Sequence, residues 1–499
     1  MNAERVVISG GLVVVSGESG ARPADIVLAG DTISALAPPG SVDGPRIEAA
    51  NRLIIPGLIN AHTHGHGGLS KGAGDTWSLE LLLNAGPWIG GQRNNEDRYL
   101  STLVSAVEMV RKGCTACYDL SAILPVPSVD ALYEVGRAYE DLGMRAVVAP
   151  MLADRSFYQA IPGLLDAFPP ELRALTDILR VAPAEATLAP LREAARSWPF
   201  STDWIRLGIA PTIPLHCSDE FMVACRDLAA EYGLPLQTHL AESAVQRAAA
   251  ARRYGTTLTG HLHALGLVGP WFSGAHGIWL DATEMALIAR NGGTLAHNPG
   301  SNLRLGNGIA DIRRAVASGI TVGVGTDGSG SSDNQNMFEA MRLAAYVSRV
   351  FDRRPDEWIG TQEALGMATE GSAAVLGMGD MIGRIAPGYK ADLTFLDLDH
   401  VNLVPLNNAV NQLVNTEDGA AVRDVMIGGR FVLKDGAFPG LDWPSIARRA
   451  RTAAARLSEA NEATREIAER LAPVVSHFCV GLGRCEHDLP RKLPSVPQL

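Results

Sequence analysis

The chain has 499 residues, 46% of them hydrophobic and 19% charged, so it can bury a sizeable core and is long enough for one large unit plus a satellite. Its 43 Lys and Arg against 54 Asp and Glu give a net charge of −11, which leaves no general basic surface for nucleic acid. No stretch approaches the roughly 18 apolar residues of a membrane span, and Met1-Asn2-Ala3-Glu4-Arg5 lacks the apolar core of a signal peptide, so a soluble cytoplasmic protein is expected.

In chain order, the first elements read as short strands broken by Gly, Pro and Asp-Thr turns, as in Asp25 to Leu36. An apolar strand from Leu53 to His64 follows and ends in His62-Thr63-His64. Strand side chains alternate faces, so the two imidazoles point the same way. Further strands are expected at Thr115 to Leu120, Arg145 to Leu152, Ile205 to Thr212, Leu234 to His239, Ser273 to Gly277, Gly293 to Asn298 and Ile320 to Asp327, with helical stretches between them. Eight parallel strands alternating with helices predict an α/β fold, the (β/α)8 TIM barrel, whose active sites lie at the C-terminal strand ends. Polar residues gather at those ends: His62, His64, Asp119, Thr212, His239, His276, His297 and Asp327.

Past the barrel, Gly383 to Asp397 and Asp424 to Asp435 again read as strands. Neither terminus has enough strands for a stable sheet, so the two are expected to join in one small β-sandwich. The expected division is 1–56 with 383–440 for the sandwich, 57–382 for the barrel, and 441–499 for a C-terminal helical extension. In that extension Asp442 to about Val474 reads as a long amphipathic helix, with Arg448 to Arg451 on its solvated face, and the remainder as an extended tail docking on the body or a neighbouring subunit. Cys114-Thr-Ala-Cys117 has no second pair at matching spacing and reads as buried free thiols. Cys479 and Cys485 have no reading from sequence.

A His-x-His taken alone equally describes two hydrogen-bonded core histidines, and its weight comes from the other segments. A divalent ion needs nitrogen and oxygen ligands converging from distant parts of the chain, and imidazole suits zinc or iron. The ordered set Pro56-Gly-Leu-Ile-Asn-Ala-His62-Thr-His64, Thr238-His239-Leu-Ala-Glu242, Ala275-His276-Gly277, Ala296-His297-Asn-Pro-Gly-Ser-Asn302 and Gly325-Thr-Asp327-Gly328 resembles the amidohydrolase superfamily, in particular its deaminase and triazine chlorohydrolase branch. The resemblance spans about residues 1 to 440 and includes Gly388-Tyr-Lys-Ala-Asp392-Leu. It implies one divalent ion held by His62, His64, His239 and Asp327, with His276 beside the reacting water and Glu242 as proton shuttle.

The chemistry of these residue types agrees. A bound dication lowers the pKa of water from about 15.7 to about 7. Asp327 can take the released proton, and Glu242, just past the strand end that carries His239, can protonate a ring nitrogen while hydroxide attacks the adjacent carbon. Two-metal members of the superfamily usually bridge their ions with a carboxylated Lys on the fourth strand. Ile205 to Thr212 contains no Lys, so a single ion is expected, zinc ahead of iron. The zinc deaminases of the other fold need His-x-Glu and Pro-Cys-x-x-Cys; here Gly113 precedes Cys114, which excludes them.

Competing readings exist for several of these residues. Glu242 also fits a carboxylate at a helix N-terminus, and His276 a structural strand end. His66, His216 and His297 suit loop fixing as well as substrate contact, and His261 and His263 read as surface. Gly65, Gly67 and Gly68 would let backbone approach a ligand. Trp77 and Trp88 would stack on a flat ring or simply pack; Lys71 would meet an anionic group or solvent; Asp154 to Thr202, with Phe157 and Tyr158, would form a lid. The expected activity is metal-dependent hydrolysis of non-peptide carbon-nitrogen bonds, foremost deamination of an amino-substituted purine, pyrimidine, pterin or triazine. Amide, urea or halide hydrolysis, or a non-catalytic scaffold, is the alternative. The expected partners are a small-molecule substrate and, by the resemblance and the C-terminal element, a second copy in a homodimer.

Overall fold

The computed structural model describes residues 5–124, 126–177 and 181–485. Its centre is a parallel barrel of eight strands: Leu58–Thr63, Cys114–Ser121, Arg145–Leu152, the broken strand Ile205–Leu207 and Ala210–Pro211, Leu236–Leu240, Phe272–His276, Thr294–His297 and Thr321–Val324. Strands one to four pair in sequence, as do five to eight. Two seams close the ring. The fourth strand meets the fifth where Gln237 N–H donates to Ile209 O at 3.1 Å, and the eighth meets the first where Asp327 N–H donates to His62 O at 2.9 Å.

Small apolar side chains fill the interior, among them Ile59, Ala61, Ala116, Val147, Ala149, Ala210 and Ala296. The opposite faces pack on the surrounding helices. Burial on both faces explains why these strands read as nearly continuous apolar runs.

Two predicted strands are interrupted. Leu53 to His64 is two elements: Arg52–Pro56 belongs to an outer sheet, and the barrel strand starts at Leu58. The break falls at Gly57, where a Cβ would lie 2.3 Å from the Thr115 side chain and only glycine lets the chain pass. The fourth strand breaks at Gly208, where a Cβ would lie 2.8 Å from Val147.

Both termini build the outer sheets. One has the order Thr32–Ala37, Asp25–Ala29, Arg5–Ser9, Arg46–Glu48; the other runs Arg430–Leu433, Val422–Ile427, Leu393–Asp397, Arg52–Pro56, Leu12–Val13, Arg22–Pro23. In the second sheet Leu393–Asp397 pairs antiparallel with Arg52–Pro56, joining chain from opposite ends. Ile8, Ile26, Ile33, Ile54, Leu393, Phe395 and Met426 fill the space between the sheets. A fully buried ion pair links this unit to the barrel: Arg145, on the third strand, meets Asp392 at 2.7 Å and stacks on Trp204.

The C-terminal extension is helical but longer than expected. It forms two helices, Trp443–Ala460 and Glu462–Cys485, so that 475–485, expected as extended tail, continue the second helix. Leu471, Val475, Cys479 and Leu482 keep one face buried at helical spacing, which carries the helix past Val474. Arg448, Arg449 and Arg451 lie exposed on the first helix. The rest of the tail lies outside the described residues. Within 154–202 the described segment is the short helices Phe157–Ala160, Leu164–Ala167 and Pro170–Thr176, followed by Ala184–Ser197. Among the described residues, no helix is long and apolar enough to cross a membrane.

Candidate metal centre and active site

At the C-terminal mouth of the barrel, His62 comes from the first strand, His64 from just past its end, His239 from the fifth, His276 from the end of the sixth and Asp327 from beyond the eighth. The structure brings all five together. Asp327 Oδ1 lies 3.0 Å from His64 Nε2 and 3.6 Å from His62 Nε2, and its Oδ2 lies 4.0 Å from His276 Nε2. His239 Nε2 is 3.2 Å from His64 Nε2. Ligand atoms of His62, His64 and His239 fall within 4.8 Å of one another, as do those of His62, His276 and Asp327.

Each histidine is held from behind through Nδ1. Gln237 Oε1 accepts from His62 at 2.7 Å, Leu120 O from His64 at 2.7 Å, Thr212 O from His239 at 2.5 Å and Asn302 Oδ1 from His276 at 2.9 Å. With Nδ1 donating, each Nε2 carries its lone pair towards the common centre, the tautomer that metal ligation needs. Asp327 is fixed by Ser301 Oγ at 2.6 Å and Gly328 N–H at 2.7 Å. His276 and Asp327 adopt φ of 72° and 62°, left-handed conformations that cost about 1–3 kcal/mol each and turn both side chains into the mouth.

The donor set fits a divalent metal ion. His62 Nε2 and His276 Nε2 are buried without a hydrogen-bond partner, an expensive condition that a cation relieves. Electrostatics point the same way. Burial pushes Asp327 up, but the adjacent His62 and His64 imidazoles hold it well below the usual carboxylate range. Burial, with His62, His64 and His276 around it, pushes His239 well down, and burial takes His276 down to about 4. Burial lowers His64, yet the adjacent Asp327 raises it overall.

Glu242 stands beside this cluster in the turn before the helix Ala244–Tyr254, which Ser243 caps. Its Oε1 accepts from Asn307 Nδ2 at 3.1 Å; its Oε2 is buried, unpartnered and 3.7 Å from His276 Nε2. Burial, then the nearby Asp327 and Glu80 carboxylates, raise its pKa well above the ordinary value, which favours the protonated acid beside the centre.

Other sequence-derived candidates fall elsewhere. Gly65, Gly67 and Gly68 pack on protein rather than open a path for a ligand: Cβ atoms there would meet Asp119 Oδ2 at 2.5 Å, Ser329 N at 3.0 Å and Ser101 O at 2.1 Å. Asp119 supports the first loop, accepting from Gly65 N–H at 2.8 Å and Tyr139 Oη at 2.9 Å. Lys71 is ion-paired with Glu108. Trp77 and Trp88 pack edge-to-face on each other, with ring centres 6.2 Å apart. His66 Nδ1 accepts from Ala122 N–H at 3.1 Å, and His216 is buried. His297 is buried with neither ring nitrogen partnered. His261 pairs with Asp219. Cys114, Cys117 and Cys479 are buried and free.

The sequence assigns no role to Gln237 or Asn307, and Ser301 and Asn302 stand in the Ala296 to Asn302 motif without a role of their own. Gln237 sits two residues before His239, hence on the same face of its strand, and that spacing was a usable signal. Asn307 lies 65 residues from the carboxylate it holds, and nothing local marks it.

Comparison with known proteins agrees with this architecture. Residues 53–432 match the model of the amidohydrolase family. The chain is 31% identical over 428 residues to a 5-methylthioadenosine/S-adenosylhomocysteine deaminase of Desulforamulus reducens, covering 84% of this chain and 91% of that one. An adenosine deaminase from Xanthomonas campestris with bound zinc superposes with a TM-score of 0.81 at 25% identity, covering 92% of this chain and 99% of the other. Atrazine chlorohydrolase from Arthrobacter aurescens, complexed with zinc, gives 0.79 at 25% identity, covering 90% and 100%.

Proposed function

This chain belongs to the amidohydrolase family and is a metal-dependent hydrolytic enzyme with a small-molecule substrate, and on that premise we propose that it deaminates an amino-substituted nitrogen heterocycle. The observation that carries the reading is the buried Glu242 carboxyl, its pKa raised by burial and then by neighbouring carboxylates, set 3.7 Å from His276 Nε2 at the edge of a nitrogen-rich cation site. The relatives named as deaminases favour a heterocyclic amine over an amide as the group attacked. We assign His62, His64, His239 and Asp327 as ligands of one ion, zinc, and Glu242, His276 and Asp327 as catalytic residues. The zinc in both solved neighbours supports the choice of metal, and the absence of Lys from Ile205 to Thr212 supports a single ion.

When bound, the divalent ion supplies Lewis acidity that brings the pKa of water near neutrality. The protein's part is positioning and proton transfer. Asp327, kept ionised by its histidine neighbours, accepts the proton released as the water oxygen bonds to the amino-bearing ring carbon. Glu242 gives its proton to the adjacent ring nitrogen, which removes the negative charge that addition would leave there. His276, fixed by Asn302, directs Nε2 at the attacking oxygen. Asp327 then passes its proton to the amine, and as the carbon-nitrogen bond breaks and ammonia leaves, the hydroxyl proton of the addition product returns to the Glu242 carboxylate, so that a ring carbonyl with an N–H beside it remains and both carboxyl groups regain their starting state.

The same reading divides the chain into a sandwich of 1–56 with 383–440, a barrel of 57–382 and an extension of 441–499, in a cytoplasmic homodimer. The C-terminal helices dock on their own barrel, so the dimer rests on family resemblance. Metal analysis and a release assay with adenosine, 5-methylthioadenosine and atrazine test the proposal. About one equivalent of zinc and ammonia from an adenosine are expected. Chloride release without ammonia would move the activity to the halide branch, and ammonia release by Asp327→Asn at the native rate would remove Asp327 from the mechanism.

A further inference from the structure

A cavity of about 390 Å³ lies between the barrel mouth and the end of the C-terminal helix Glu462–Cys485. Glu80, Ser243, Trp279 and Asn307 form its inner wall; Val480 and Arg484 stand on its outer wall. The cavity adjoins the reacting end of the site. Asn307 holds Glu242 at 3.1 Å, and Ser243, the next residue in the chain, donates to Glu80 at 2.9 Å.

Two ionisable groups at this cavity have no ion-pair partner among the described residues. Glu80 is buried, and its carboxylate accepts from Ser78 and Ser243 hydroxyls without a paired cation among the described residues. Each carboxylate oxygen retains acceptor capacity beyond one hydroxyl. Arg484 is exposed at the rim and forms no ion pair among the described residues. A guanidinium so placed suits bidentate capture of a carboxylate or phosphate.

The outer wall is firmly seated. Asn84 Nδ2 donates to Ala468 O at 2.8 Å, Tyr158 Oη donates to Asn84 Oδ1 at 2.8 Å, and Leu471, Val475, Cys479 and Leu482 are buried beneath the helix. This helix lies beyond residue 432, where the family match ends. The wall is therefore supplied from outside the matched segment.

We propose that the cavity is a subsite for a substituent on the heterocycle, with hydroxyl or amino groups facing Glu80 and an anionic end meeting Arg484, so that the C-terminal helix is part of the substrate site. The proposal builds on the deaminase reading, because it places the ring at Glu242. A bare ring would leave both charged groups unused. A substituted one engages them and gains specificity from each.

The test uses full-length zinc enzyme, Arg484→Gln and Val480→Trp, with adenine, adenosine and adenosine-5′-carboxylic acid as probes. Ammonia release gives KM and kcat, and quenching of intrinsic tryptophan fluorescence, to which Trp279 in the cavity wall contributes, gives Kd independently of turnover. For Arg484→Gln, KM and Kd for the carboxylic acid are expected to rise at least tenfold, with less than twofold change for adenosine and adenine. Val480→Trp narrows the cavity and should weaken both substituted probes while sparing adenine. Equal effects on all three probes, an unchanged Kd for the acid in Arg484→Gln, or no binding of the acid to the parent enzyme would overturn the subsite. Absence of ammonia from every probe would instead overturn the deaminase reading, and the Kd comparison would still judge the cavity.

Discussion

Replacing Gln237 by Met tests whether the hydrogen bonds behind the histidines set the strength of the metal site. Gln237 is fully buried; its Oε1 accepts from His62 Nδ1 at 2.7 Å, and its Nε2 donates to Ala61 O at 3.1 Å. Methionine approximates the volume but accepts only weakly, so His62 loses the contact that selects the Nδ1–H tautomer. Loss of such an outer partner typically costs 10–100-fold in metal affinity, or about 1.4–2.7 kcal/mol of binding. Leaving a buried donor unpaired costs the metal-free fold a further 1–3 kcal/mol or so. Competition with a chromophoric chelator measures the zinc Kd, and calorimetry of the metal-free proteins measures the fold separately. At saturating zinc, kcat should stay within a few-fold of the parent, because no group that touches substrate has changed. A zinc Kd unchanged within twofold would refute the reasoning and show that strand geometry alone orients His62.

Glu242→Gln should retain zinc and lose at least about 100-fold in kcat, within the range of general acid catalysis; parental turnover would show that another acid serves the ring. Because burial and then neighbouring carboxylates raise the Glu242 pKa, its proton persists to higher pH than on a free carboxyl and is lost as pH rises through the raised value. The pH-rate profile of the parent should therefore fall on its alkaline side, and an alkaline limb of the same midpoint in Glu242→Gln would contradict this. Arg145→Met should strand the buried Asp392 charge and cost about 3–5 kcal/mol in thermal unfolding while zinc content stays intact; an unshifted melting temperature would argue that the pair contributes nothing. Burial takes His216 down to about 4, so the unfolded chain binds a proton below about pH 6.5 that the folded protein refuses until near pH 4. Stability should drop by about 3 kcal/mol across that window as pH falls, and His216→Asn should flatten the drop; an identical acid profile in the variant would locate the sensitivity elsewhere.

Period-two alternation made His62 and His64 legible as a pair, and the placement of His239, His276 and Asp327 at ends of apolar runs made the mouth of the barrel legible too. What escaped the sequence was set by contacts between distant segments. The break at Gly57 depends on Thr115, and the break at Gly208 on Val147, neither of which alters the apolar pattern of its own strand. The first-loop glycines looked like room for a ligand, yet that room is taken by Asp119, Ser101 and Ser329. The C-terminal helix outran its expected end because the stripe from Leu471 to Leu482 is rewarded only by docking on the barrel. Asn307 carries no local mark, since its importance comes entirely from the carboxylate it holds.

The sheet that joins Arg52–Pro56 to Leu393–Asp397 also imposes an order on biogenesis. Pro56 leaves the ribosome about 340 residues before Leu393, its partner across that ladder, which at 5–20 residues per second is a wait of roughly 20 to 70 seconds. Through that interval Arg52–Pro56 has Leu12–Val13 to pair with on one side only, and its edge towards Leu393–Asp397 stays open until the far end of the chain arrives.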